Sequence, residues 1–397
     1  MKCCPTWSST AIWRCSKSCW KPGPVPIHRT AWSSVSINRF QGGSPMSEAV
    51  SSVPARERND AFERVQATRQ LDLNVETLRG MAILMVVIFH VIGPKPYEGL
   101  QIQEPGSLYH LVTDIFDYLQ MPLFSFLAGY VYAIRPFSGG AGAFVKSKAQ
   151  RLLVPMLVVG TVFAIVKAMA PGTNTPLSAS DFLTLHIIPV QHFWFVESLF
   201  WIFLLMMLLD GSKLIASGRQ FAIVAVVACA IHLAWQDPPI YFSFAGVIFL
   251  LPSFLFGVAC YRYREAIFQP AVLWPVGLVT AVCSVLVGLT LVDVIDYRFM
   301  PQSLPALIVG CGVSLLLMVS QFKQRWLVFI GAYAYSIYIF HVFGTSGSRI
   351  ILQKLGVSDT FLLMVVGILV GVIGPIIVDK LASRYYWSRR ILLGKKR

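Results

Sequence analysis

Between Asn74 and Ala382 the chain reads as one apolar run after another, each close to the ~20 residues a helix needs to cross a bilayer. The runs fall at about 75–94, 111–134, 151–170, 192–210, 220–236, 242–260, 271–292, 304–321, 326–345 and 360–382. Lipid offers no partner to backbone polar groups, so each run has to satisfy its own, which a helix does. The expected fold class is all-α: a polytopic integral membrane protein with about ten transmembrane helices. Only 13% of residues are charged, about half the share of a soluble domain.

The formal net charge of +14 would suggest nucleic acid in a soluble protein. Here the cations sit mainly in short connections and alternate with the runs. One set holds Arg135, Lys146, Lys148 and Arg151, then Lys213 and Arg219, then Arg262 and Arg264, then Lys323 and Arg325. The other set holds only Lys95, Arg298, Arg349 and Lys354. By the positive-inside rule both termini are expected in the cytoplasm, and nucleic acid is not an expected partner.

Residues 1–70 are expected to form a cytoplasmic leader without a fold of its own, 71–383 the membrane domain and 384–397 a basic tail. Residues 1–45 lack the apolar core of a signal peptide and any helical period. Met46 then opens an ordinary polar stretch, which leaves two readings: a natural start at Met46, or a disordered tail that begins at Met1. The eight cysteines show no C-x-x-C pair or nearby ligand histidines, so no metal site is expected.

The first run, LDLNVETLRGMAILMVVIFHVIG, carries Arg79 and His90. Eleven residues apart, they return to within about 20° of one helix face, about 16 Å apart along the axis. Each would be costly against lipid, so this face is expected to look into protein or a wet cavity. Neutral imidazole can take a proton from a hydroxyl and return it, which makes His90 a candidate general base. The structural alternative is a core histidine bonded to a carbonyl or a tyrosine.

Asp114, Asp117 and Gln120 lie at three-residue spacing at the start of the second run, and a short loop brings them toward His90. Asp117 is the first candidate to orient that histidine, against the alternative of a solvated interface residue. Glu197, in HFWFVESLFW, falls inside an apolar run and has to be paired or protonated; it could bind acceptor hydroxyls, pair with an arginine or orient His90. His192 is expected in the outer aromatic belt, and His341 is a further polar group near the same side. Arg135, Lys146, Lys148 and Arg151 could grip phosphates, although the positive-inside rule explains most such clusters. No Walker loop, dinucleotide fingerprint, H-E-x-x-H or G-x-S-x-G motif is present.

In combination these pieces resemble the membrane acyltransferase 3 family. TLRGMAILMVVIFHV is similar to its first-helix pattern of an arginine, ten intervening residues and a histidine, matched by Arg79 and His90. QMPLFSFLAGYVYA resembles its second-helix MPLFFFLSGY element, KAQRLLVP its basic entry to the third helix, HFWFVESLF its H-x-W-F-L segment and YSIYIFHVF its late Y-S-x-Y-x-x-H element. The MPLF form resembles the fucose 4-O-acetylase-like branch. Two positions depart: Ala128 stands where the family usually has serine, and Gln120 where this branch often has histidine.

The resemblance implies transfer of an acyl group, usually acetyl from acetyl-CoA in the cytoplasm, to a hydroxyl of a cell-envelope or exported saccharide at the other face of the plasma membrane. His90 would then act as base with Arg79, Asp117 and Glu197 in the catalytic set. Arg135, Lys148 and Arg151 would hold the coenzyme phosphates, and Gln120, Trp194 and His341 would contact the acceptor. A proton-coupled secondary transporter built on the same ionisable groups is the alternative. It should show related halves and broken helices, and neither is evident in the sequence.

Overall fold

The computed structural model describes residues 55–104, 106–174 and 176–395, with side chains from Leu73 onward. The expectation of a start at Met46 lies outside the described residues. The described residues from Phe62 onward form one compact unit, which holds every described side chain.

The described residues are helical and contain no strand, as a chain of long apolar runs requires. The helices of seven residues or more are α1 (Ala55–Ile92), α2 (Leu108–Ile134), α3 (Ala141–Arg151), α4 (Leu153–Met169), α5 (Trp194–Gly211), α6 (Gly218–Ala234), α7 (Phe244–Arg262), α8 (Pro270–Leu291), α9 (Leu304–Val319), α10 (Arg325–Ala332), α11 (Ala334–Lys354), α12 (Thr360–Ala382) and α13 (Tyr386–Leu392). Residues 55–70, expected as leader, are already helical and run without a break into the first span.

Six of these elements are long and apolar enough to cross a membrane, α3 and α4 counting as one, and the pair α10–α11 would make a seventh. The ten apolar runs of the sequence also include α2, α6 and α9. Helices α6 and α9 are short, at 17 and 16 residues. Helix α2 is long but carries Asp114, Asp117, Gln120 and several tyrosines. It can do so because much of it is surrounded by protein: Tyr118, Gln120, Phe126, Tyr130 and Tyr132 are all buried.

The ninth run, expected as one span over 326–345, is broken. The chain turns by 80° between α10 and α11, and α11 continues to Lys354. Glycines explain where α10 lies. A Cβ on Gly331 would come 1.9 Å from the carbonyl oxygen of Glu76, and one on Gly80 would come 2.1 Å from that of Leu327. Only hydrogen at both positions lets the two backbones touch beside Arg79.

The same device joins α2 to α7. Gly129 rests on the carbonyl of Phe254 and Gly257 on that of Phe126, with a Cβ reaching 1.9 and 2.0 Å respectively. Ser125 Oγ adds a hydrogen bond of 2.8 Å to Leu250 O along the seam. Leu250, Phe254 and Leu255 fill the core on one side and Phe126 and Leu127 on the other.

The connections segregate to two ends. At one, Asp210 accepts from Arg262 Nη2 at 2.8 Å and from the Tyr132 hydroxyl at 2.5 Å, and Arg262 also reaches Ile215 O. That gathers the ends of α2, α5 and α7. At the other, residues 93–94, 98–99, 173–174, 189, 191, 240 and 300–302 line two cavities that share Gln191 and Trp194.

Candidate active site

His90 stands on the last turn of α1, and its Nδ1 lies 2.9 Å from Val86 O. A carbonyl only accepts, so this bond places the proton on Nδ1 and leaves Nε2 as the basic nitrogen. Two further histidines close on it. The His341 ring lies 4.9 Å from that of His90 and 4.7 Å from that of His192, and His90 and His192 are 5.9 Å apart. His341, fully buried on α11, is fixed through Nδ1 by the carbonyls of Ile337 and Tyr338 at 3.0 and 2.8 Å. Its Nε2 has no hydrogen-bond partner. His192 is 2% exposed. The Tyr338 hydroxyl donates to its backbone carbonyl, and neither of its ring nitrogens is hydrogen-bonded.

The cluster opens on a cavity of about 400 Å³. His90, His192, Gln191 and Trp194 line it beside Phe163 and Phe343, and its rim carries Glu98, Lys167, Asn174 and Arg349. Aromatic walls with a few polar groups around a basic nitrogen suit a polyol or an ester. His341 is not in the lining; it stands behind His90 and His192. Among the described residues no group of histidine, cysteine and carboxylate ligands is arranged to hold a metal ion.

The carboxylates expected beside His90 lie elsewhere. Asp117 does not hold His90, whose Nδ1 is taken by Val86. It lines a second cavity of about 460 Å³ with Ser243 and Met300, next to the ion pair of Asp114 and Arg298. Glu197, 6% exposed, accepts a 2.5 Å hydrogen bond from Ser243 Oγ. The start of α7 is turned to deliver that serine: Phe242 and Ser243 both have left-handed backbones, with φ of 51° and 56°, a conformation side-chain-bearing residues rarely adopt. Gln120 is buried, and its Oε1 has no partner. Trp194 separates the two cavities and lines both. Arg79 pairs within its own helix with Glu76 at 2.5 Å and is about a third exposed.

Comparison with family models gives a match to an acyltransferase domain over residues 72–380, which takes in the histidine cluster and both cavities. The chain belongs to the acyltransferase 3 family. No curated protein and no solved structure matches it. The match does not distinguish the fucose 4-O-acetylase-like branch.

In this acyltransferase the family-like elements divide by role. MPLFSFLAGY is a packing seam, its Ser125 and Gly129 both spent on α7. HFWFVES supplies His192, Trp194 and Glu197. YSIYIFHVF supplies Ser336, which donates to the buried Asp379 of α12, then Tyr338 and His341. Tyr338 is not among the residues singled out from the sequence, although its spacing of three residues from His341 puts both on one helix face. Arg349 reads in the sequence as a loop charge; because α11 runs on to Lys354, it belongs to a helix and lines the cavity.

The basic cluster lies at the other end. Arg135 and Arg151 are exposed, and Lys148 Nζ sits 3.4 Å from the centre of the Phe203 ring. The tail folds back onto this corner. Gln150 Nε2 donates to Arg390 O at 2.8 Å, Gly394 packs against the backbone of Arg151, and Lys395 pairs with Asp379 at 2.7 Å. Arg389 Nε is buried there without a partner.

Proposed function

We propose that this membrane protein is an O-acyltransferase that moves an acyl group, acetyl in the first instance, from acyl-CoA to a hydroxyl of a cell-envelope or exported saccharide, with His90 as general base. The observation that carries the proposal is the geometry of His90: Nδ1 is tied to Val86 O, and the ring faces a cavity large enough for a sugar unit. His90 Nε2 takes the hydroxyl proton while the oxygen attacks the thioester carbonyl. The tetrahedral adduct collapses with loss of the thiolate, and His90 returns the proton to sulfur. His341 and Tyr338 are positioning residues, the first packed against both cavity histidines and the second clamping the His192 backbone.

The coenzyme fits the opposite corner by chemistry. Arg135 and Arg151 are exposed cations, and Arg389 has an unused buried N–H. Arginine recognises phosphate by paired hydrogen bonds, and Lys148 would add a point charge. In this reading that corner faces the cytoplasm and the His90 cavity opens on the other side of the plasma membrane, which the charge pattern supports. Asp117 belongs in this account to the second cavity, where an extended saccharide would continue past Trp194; Glu197 supports that cavity from behind through Ser243, and Gln120 is a buried neighbour on α2.

The test is transfer itself. Protein in liposomes, given labelled acetyl-CoA and candidate polysaccharides, should place label on the glycan. If label stays on coenzyme A while the vesicles take up a solute in response to a pH gradient, the transporter alternative replaces this reading.

A further inference from the structure

Arg349 is 7% exposed, yet no carboxylate among the described residues lies within ion-pair distance of it. Its Nη1 donates to Gln353 Oε1 at 3.0 Å and its Nη2 to Gly172 O at 3.2 Å. Those two neutral acceptors occupy two of the five N–H groups of a guanidinium. A buried cation is costly unless it is paired and hydrogen-bonded, and Arg349 is only half provided for. Lys167 lines the same cavity from the last turn of α4, and Glu98 is the one carboxylate in the lining. The cavity therefore holds an excess of positive charge close to His90 and His192. Asn174, whose Nδ2 donates to Gly99 O at 3.1 Å, ties the 93–99 loop to the 172–174 turn beside Arg349 and so braces the rim.

We propose that the acceptor carries an anionic group, a carboxylate or phosphate borne on the saccharide, which Arg349 and Lys167 bind in the cavity that His90 lines. This rests on the acyl-transfer reading, and it narrows the acceptor from any hydroxylated glycan to an acidic one. The anion belongs to the acceptor rather than the donor, because the whole pantetheine arm separates the phosphates of a coenzyme A ester from its thioester. An anion beside the reacting hydroxyl has to arrive with that hydroxyl. Arg349 offers the paired N–H groups that fit two oxygens of one carboxylate or phosphate, and Lys167 adds a charge without directional demands. The unchanged His90 then meets a hydroxyl whose sugar is already fixed at a second point.

Binding tests this without depending on transfer. Full-length protein in nanodiscs of phosphatidylcholine is titrated with a neutral oligosaccharide and with the same oligosaccharide bearing one uronic carboxylate or one phosphate. The acidic ligand should bind roughly tenfold to a hundredfold more tightly, the range expected for hydrogen bonds to a charged group. The ratio should fall to near one in Arg349→Gln, and it should fall partly in Lys167→Gln, which leaves the Gly172 contact in place. Equal binding of the two ligands, no binding of either, or a ratio that survives both substitutions overturns the proposal. A lipid phosphate is the other source of such an anion. If phosphatidylglycerol, and no acidic glycan, raises the melting temperature in an Arg349-dependent way, the site belongs to a headgroup and the proposal fails. Arg349-dependent discrimination in a protein that never acetylates a glycan would leave this site standing and remove the acyl-transfer reading. Transfer to neutral and acidic glycans alike would do the reverse.

Discussion

The rings of His90 and His341 meet nearly at right angles, 78° between planes and 4.9 Å between centres, although they come from α1 and α11. Each is held by a helical carbonyl through Nδ1, which leaves Nε2 as the basic nitrogen of both, buried in His341 and beside the cavity in His90. That arrangement fixes the orientation of His90 without any carboxylate.

Replacing His341 with alanine should therefore act through His90. We expect kcat to fall by about tenfold, less than the 10²–10⁴ of a general base, with the pH profile of kcat displaced and KM for acyl-CoA little changed. A variant whose profile overlays that of the wild type would show that the ring contact plays no part in proton transfer.

The Glu197–Ser243 bond should matter for stability. Ser243→Ala leaves a buried carboxylate without its donor, a loss of about 1–3 kcal/mol. A lowered melting temperature in detergent is the expected result, and Glu197→Gln, which keeps an acceptor oxygen, should be milder. Equal melting temperatures for wild type and Ser243→Ala would refute the bond's importance.

The glycine contacts predict a sharper failure. Gly129→Ala or Gly257→Ala forces α2 and α7 apart, because a methyl would lie within about 2 Å of a facing carbonyl. We expect little folded protein by size-exclusion chromatography, whereas Ala128→Ser, one residue away, should be tolerated. Normal yield of both glycine variants would contradict the close seam.

The all-α membrane fold is legible in the sequence because lipid leaves a 20-residue apolar run one option. The α10–α11 bend is not, and neither is the close approach of α10 to α1, where Gly80 and Gly331 meet across 251 residues of sequence, which no local pattern records. At the site, Arg79 and His90 are visible as expensive residues on one face. Asp117 is misplaced as the partner of His90 because loop length limits how far two helix ends can separate but not which way their side chains turn. The His90, His192 and His341 cluster stays hidden for a related reason: the three histidines come from three separate segments. Arg349 reads as a loop cation because the apolar run stops about nine residues before α11 does.

The charge pattern predicts orientation. Single cysteines at Gly106 and Asp181 should react with a membrane-impermeant thiol reagent in intact cells, and one at Ser212 only after the membrane is opened. The opposite labelling would invert the protein and with it the assignment of donor and acceptor sides.

The most direct test is the rate of acetyl transfer by His90→Ala in liposomes, compared with wild type at equal folded protein. With His90 as the base, transfer from labelled acetyl-CoA to glycan should fall by about 10²–10⁴-fold while acyl-CoA binding persists. Transfer at the wild-type rate by a folded His90→Ala protein would contradict the account.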